Sequence, residues 1–173
     1  KFSSNFHIPI ILGIEEYLEG PVLTFLNEFG HISLGFEAGQ HDESSSVNNC
    51  EFFIWKALAL TGCINKKKVK NYFFLRKRFN YYRSSNFYHI TEKHTIEEND
   101  SFEMQEGYTN FQPIKKGDLL AHSNGHELRA SENGKIFMPL YQKLGEDGYF
   151  IIRKISKFWL GLSKFLRKTR SHH

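Results

Sequence analysis

Proline is scarce in this chain, at 4 of 173 residues, and cysteine scarcer still, at 2. Few prolines beside 17 phenylalanines and 8 tyrosines exclude a linker-rich or disordered chain. Two cysteines, Cys50 and Cys63, are too few for a disulfide framework, and buried thiols in a reducing cytoplasm are expected. No apolar run approaches the roughly 20 residues that span a bilayer, and no secretory signal is visible. A G-x-S-x-G elbow, a phosphate-binding glycine loop and a C-x-x-C pair are also missing, which leaves nucleophilic catalysis without support.

What is present suffices for a real core. Hydrophobic residues make up 40% of a length that suits one ordinary domain or two small ones. The net charge of +4 is modest, its positive excess gathered in residues 66–83 and 154–170. Such runs meet nucleic acid or an anionic membrane in some proteins and are solvated faces in most, so neither partner is expected.

Chemistry gathers at residues 34–42, where a short apolar alternation stops at a glycine and a cluster of ionisable groups. Ile32, Leu34 and Phe36 fall on one face of a strand and Ser33, Gly35 and Glu37 on the other, so Glu37 sits at the strand's carboxyl end. Gly39 permits a sharp turn and Ser44, Ser45 or Ser46 caps a following helix. Glu37, Gln40, His41 and Asp42 then share a strand-to-helix crevice, the edge at which open α/β sheets bind ligands. A carboxylate there suits general acid or base work. By spacing alone, a solvated glutamate beside a turn is the competing reading.

Along the chain, residues 7–14 form a nearly continuous apolar run, the mark of a strand buried on both faces, with Pro9 favouring its beginning or an edge. Gly20 and Pro21 open a short helix with Val22, Leu26 and Phe29 on one side, and Gly30 closes it. With the strand at 31–37, this order predicts a right-handed βαβ unit. A helix is expected over 44–62, with Val47, Cys50, Ile54, Ala57 and Leu58 inward and Phe53 and Trp55 broadening that face. Residues 66–83 read as a second, surface helix. Beyond Ser84 the pattern becomes alternating segments, predicting strands at 88–96, 102–104, 119–122, 127–130, 135–140 and 149–153. Turns are expected at Gly107, Gly117, Asn124-Gly125, Asn133-Gly134 and Asp147-Gly148. From Lys154, apolar residues at helical spacing opposite basic ones predict an amphipathic helix that docks on the protein.

A metal reading is invited by His89-x-x-Glu92 and His94-x-x-Glu97. In a strand, however, i and i+3 point to opposite faces, so both are expected to be accidents. His122 with His126, and His172 with His173, lack third and fourth ligands. No metal ligand is assigned in this chain.

Residues 36–42 (FEAGQHD) before an amphipathic helix resemble the catalytic-glutamate segment of the succinylglutamate desuccinylase and aspartoacylase family, zinc-dependent deacylases related to zinc carboxypeptidases. Residues 107–117 (GYTNFQPIKKG), 138–142 (MPLYQ) and 145–150 (GEDGYF) resemble that family's C-terminal β domain. The resemblance covers most of the chain in order. It implies a partial zinc-carboxypeptidase-like α/β sheet in residues 1–84, a small all-β, barrel-sandwich-like domain in 85–153, and a basic amphipathic C-terminal helix in 154–173. It also implies that Glu37 is the general base that deprotonates zinc-bound water and then protonates the leaving amine of an N-acyl amino acid or related amide. Gln40, His41 and Asp42 would line the substrate pocket, with orienting Glu37 and, equally, entry into the following helix as the alternative roles of His41 and Asp42.

The family's zinc ligands, an H-x-x-E pair and a later histidine, fall upstream of the counterpart of residues 7–14. The expectation is therefore a C-terminal portion with zinc as cofactor but without its ligands, completed by an upstream segment or inactive alone. Association with a second copy is the other expected protein contact. No arginine precedes Arg76, so arginines for a substrate carboxylate are not placed. A rival class comes from residues 114–121 (IKKGDLLA), 127–130 (ELRA) and 133–136 (NGKI), which also look like the half-barrel of biotinyl and lipoyl carriers. Lys135 would be the modified lysine, although it lacks the usual methionine or aspartate neighbours.

Overall fold

One strand, Asp147–Lys154, is buried on both faces, and the larger sheet is arranged around it. Successive side chains of a strand point to opposite sides. Tyr149 and Ile151 accordingly enter one cluster, with Met104, Ile114, Leu120, Ala121, Ala130 and Ile136, while Phe150 and Ile152 enter another, with Tyr88, Ile90 and Phe137. The computed structural model describes residues 2–17, 22–39, 44–69, 86–142 and 145–156. They belong to two units, Lys1–Ile10 with Glu19–Asn86, and Ile11–Leu18 with Phe87–His173.

Among the described residues the order is β1 (Ile10–Leu12), α1 (Val22–Glu28), α2 (Ser44–Leu60), β2 (Phe87–Thr95), β3 (Phe102–Met104), β4 (Pro113–Ile114), β5 (Leu119–Ser123), β6 (His126–Arg129), β7 (Gly134–Phe137) and β8 (Asp147–Lys154). A five-stranded sheet runs β1-β2-β8-β7-β4 and a three-stranded sheet runs β3-β5-β6. The pairs β2–β8, β7–β8, β4–β7, β3–β5 and β5–β6 are antiparallel. The molecule is thus mixed α/β. Its β unit is a two-sheet arrangement with Ile136, Tyr149 and Ile151 of the larger sheet meeting Met104, Leu120 and Ala121 of the smaller one. Ile11, Ile14, Tyr17 and Phe111 pack against the cluster on the other side of the larger sheet.

Several sequence expectations hold. The strand at 102–104 has its expected bounds, and Asn124-Gly125 turns the β5–β6 hairpin with both residues at positive φ, 52° and 77°, as a two-residue turn with the strands' twist requires. Other strands shift at their ends. Residues 138–140 leave β7 because Met138 adopts φ 50° and donates its N–H to Asn110 Oδ1 at 2.6 Å. Asp147-Gly148 is not a turn but the start of β8. A Cβ at Gly148 would stand 2.7 Å from Phe102 Cζ, so the ring from the neighbouring sheet lies directly over this backbone. β4 was not foreseen, since Pro113 cannot donate to a ladder and so suits only an edge, which is where β4 lies.

The expected βαβ unit does not form among the described residues. Residues 31–38 carry no regular structure, and the apolar run at 7–14 yields only three strand residues. His7 at φ 58° and Gly13 at φ 76° are both left-handed and bound that strand with 3-10 turns at Ser3–Phe6 and Ile14–Glu16. In α2 the apolar face is rotated from the expected one: Val47, Cys50 and Ile54 are exposed, whereas Ser46 and Phe52 are buried. Likewise Val22 and Phe29 of the first helical stretch are exposed. Cys50 and Cys63 are free, as expected, but exposed rather than buried. Of the second helix expected at 66–83, the described residues hold a 3-10 turn at Lys66–Lys68, and residues 70–85, like the expected C-terminal helix from 157 on, lie outside the described residues.

Ile151 is fully buried between the sheets, while Ile32 is 86% exposed. Ile151→Ala should lower unfolding free energy by about 2–5 kcal/mol in urea titrations, and Ile32→Ala by no more than about 0.5 kcal/mol.

Candidate functional site

Glu37 lies in unit 1, on the irregular stretch that follows α1, and its side chain is exposed. Residues 31–38 form no strand, and their anchors come from both helices. Ser33 Oγ donates to the Leu23 carbonyl at 3.0 Å and also lies 2.9 Å from Asn27 Oδ1. Phe36 stacks on Phe53 of α2 with ring centroids 4.2 Å apart and planes 2° from parallel. Phe53 also stacks on Phe6, at 4.6 Å. Phe52, buried at 0% exposure, is packed by Ile8, Phe36, Trp55 and Val69. Lys56 Nζ completes this group, 5.4 Å from the Phe6 ring centre and 5.6 Å from that of Phe52, within cation–π range.

The residue after Glu37 is fixed by a side chain. Asn49 Nδ2 of α2 donates to the Ala38 carbonyl at 2.8 Å. Gly39 follows at φ 124°, and a Cβ there would stand 2.9 Å from Ser46 Oγ. Glu37 therefore stands between the Phe36 aromatic stack and, on the other side in sequence, the Asn49–Ala38 hydrogen bond and the close approach of Gly39 to α2. Its carboxylate meets solvent, an arrangement that can exchange a proton with a water or a small substrate. Ser44, Ser45 and Ser46 form the first turn of α2 instead of its cap. Gln40, His41 and Asp42 lie outside the described residues. Phe53 is legible in the sequence as part of the helix's inward face, though not as a support for the Glu37 segment, and Asn49 carries no signal distinguishing it from any other helix residue.

The β unit holds the remaining titratable candidates. In β2 the register jumps between Ile90, opposite Ile152, and Glu92, opposite Ile151. This bulge at Thr91, whose Oγ1 donates to the Ile151 carbonyl at 3.1 Å, reverses the side-chain parity expected of an unbroken strand. His89, Glu92 and His94 therefore share a side, contrary to the i, i+3 rule applied to the sequence. They still make no metal centre: among the described residues no group of three or more His, Cys, Asp or Glu could hold a metal ion. Glu92 instead accepts a hydrogen bond from Ser131 Oγ, and His94 lies between aromatic rings. Tyr149 has its hydroxyl pushed up to about 12 by burial and, secondarily, by the negative charge of Glu92.

Lys135 is not at a hairpin tip. It pairs with Ile152 within β7, and its Nζ donates to the Phe111 carbonyl at 2.6 Å. An ammonium tied to backbone in mid-strand does not present itself to a modifying enzyme as a carrier lysine must.

The segments at 105–112 and 138–142 converge in this unit. Tyr141 OH accepts from Tyr108 N and donates to the Gln105 carbonyl, both at 2.8 Å. Phe111, at φ 66°, sends its N–H to Ile136 O at 2.8 Å. These hydrogen bonds tie the two stretches to each other and to β7.

No protein-family model matches the sequence, and no curated protein matches it. Among solved structures, the chain is similar to succinylglutamate desuccinylase from Vibrio parahaemolyticus, with 11% identity and a TM-score of 0.37 over 72% of this chain and 33% of that one. The chain thus spans about a third of the length of that relative. The likeness is a distant one of partial fold. No helix among the described residues is long and apolar enough to cross a membrane.

Gly39→Ala should destabilise unit 1 by about 1–3 kcal/mol, because the added methyl meets Ser46 at a φ that L residues avoid. Asn49→Ala should cost about 0.5–1.5 kcal/mol. Amide exchange in residues 36–39 should rise in both variants, read by hydrogen–deuterium exchange.

Proposed function

We propose that this chain is the C-terminal portion of a zinc-dependent hydrolase that removes the acyl group from an N-acyl amino acid or related amide, with Glu37 as general base. The observation that carries the reading is an exposed carboxylate on a segment immobilised by Phe36–Phe53 stacking and the Asn49–Ala38 hydrogen bond. That carboxylate stands inside FEAGQHD, the stretch that resembles the catalytic segment of the deacylases. A general base must be held yet reachable, and in support of that reading the residues on either side of Glu37 are anchored while its own side chain is exposed.

In the proposed step, Glu37 takes a proton from a water whose oxygen bonds to the acyl carbon. The carbon–nitrogen bond then breaks, the carboxyl returns the proton to the leaving nitrogen, and a carboxylic acid and a free amine result. Gln40, His41 and Asp42, next in sequence, are proposed to line the pocket for the acylated amino acid. The described residues do not fit a zinc ion, so its ligands are proposed to come from elsewhere and no step is routed through it.

The test is amine release from N-acyl amino acids by the product of the full reading frame, with added zinc. Glu37→Gln should lower kcat by at least about 100-fold with KM little changed. Undiminished turnover in that variant would remove Glu37 from the chemistry.

A further inference from the structure

The smaller sheet is joined to the larger one at one end by a stack of three rings. His94 of β2 lies between Tyr149 of β8, centroids 5.3 Å apart and planes 12° from parallel, and Phe102 of β3, at 5.4 Å and 25°. β2 and β8 belong to one sheet and β3 to the other. β3 is three residues long and, among the described residues, stands at the edge of its sheet and pairs with β5 alone. Gly148 makes room for the stack, since a Cβ there would come within 2.7 Å of Phe102 Cζ and 3.1 Å of His94 Cδ2. Within it the His94 Nε2 is buried and has no hydrogen-bond partner among the described residues.

The geometry points to His94 as an acid-sensitive clasp: neutral, it lets Phe102 and β3 close on the larger sheet, and protonated, it opens them. A neutral imidazole can leave one nitrogen without a partner at modest cost. An imidazolium must donate from both nitrogens, and a buried N–H carrying charge without an acceptor is far more expensive. Facing rings repay part of that loss through cation–π attraction.

The charged groups around the ring set the balance. Burial lowers the His94 pKa below its ordinary value, and the carboxylates of Asp100 and Glu92 pull it back only in part. Asp100 is occupied by Asn124 Nδ2 at 2.6 Å and by the Glu97 N–H at 3.0 Å, and Glu92 by Ser131. From β8, Tyr149 contributes a neutral phenol. Lys93 directs its ammonium to Asp147 at 2.7 Å and the Tyr17 carbonyl at 2.9 Å. Glu103 of β3 stands opposite His122 of β5, one position along from Phe102.

The sign follows from the lowered pKa. The contact is fully stabilising above the unfolded-state value of about 6.5 and is lost as pH falls toward the folded-state value beneath it. Opening should steepen toward a limit of about tenfold per pH unit, the slope of one proton taken up on opening. The readout is the opening equilibrium of β3 and residues 96–101, from hydrogen-exchange protection factors of the full chain at pH 8, 7, 6 and 5. Below pH 6.5 these openings should multiply in the native chain, while those of β7 and the middle of β8 change less. His94→Phe keeps a ring in the stack without a titrating nitrogen and should flatten the profile. An unchanged rise in that variant would overturn the clasp. Should the variant fail to fold, the ring carbon shifts of His94 in the native protein decide instead. A midpoint below 6.5 supports the clasp, and one at or above 6.5 overturns it.

Discussion

The β unit depends on a single strand having two hydrophobic faces. Tyr149 and Ile151 of β8 fill the space between the sheets, and Phe150 and Ile152 fill the space on the opposite side. Polar substitution anywhere from 149 to 152 would strip one core or the other, because no side of that stretch faces water. Interdigitation at interior density is what makes each of these four side chains matter. The second face needs a cover, and part of it comes from far away in sequence, through Ile11, Ile14 and Tyr17. Tyr17 OH donates to the Ile90 carbonyl at 3.2 Å and the Tyr17 carbonyl accepts from Lys93, so both ends of that residue are tied down.

The helical unit solves a different problem. It packs aromatic rings on one another, with Phe36, Phe53 and Phe6 stacked in series and Phe52 buried among Ile8, Phe36, Trp55 and Val69. Aromatic pairs add about 0.5–1.5 kcal/mol beyond the area they bury. One consequence is that the ring preceding Glu37 is oriented by a stack while the carboxylate itself stays wet. The same unit leaves Val22, Phe25, Phe29 and Ile32 exposed.

Where local chemistry decides the conformation, the sequence was readable. Asn124-Gly125 turns a hairpin, Gly62 follows the end of α2 at positive φ, and the strands expected at 119–122 and 149–153 stand as β5 and β8. Where a long-range partner decides, it was not. The alternation Ile32, Leu34, Phe36 is as regular as that of a strand, yet a strand requires a neighbour, and this segment is anchored instead to α1 and α2 through Ser33 and Phe36. Nor does the composition of β2 announce the bulge at Thr91 that turns Glu92 and His94 inward. For the candidate site, Glu37 could be picked out from its setting among Gly39 and the ionisable residues. Its anchor at Asn49 could not, and Phe53 was legible only as part of the inward helix face, since the contact of each with the Glu37 segment is made from another stretch of chain.

The sharing of residues 11–18 with the β unit has a bearing on how that unit was assembled and how it can be isolated. Its chain is discontinuous, with the helical unit's residues 19–86 lying between its two pieces. Excising it at a single point before Phe87 would leave Phe150, Ile152 and Ile90 with a bare flank and Lys93 without its carbonyl acceptor. Such a fragment would tend to self-associate through the uncovered flank, and a synthetic peptide carrying Ile11, Ile14 and Tyr17 would be the natural plug for it.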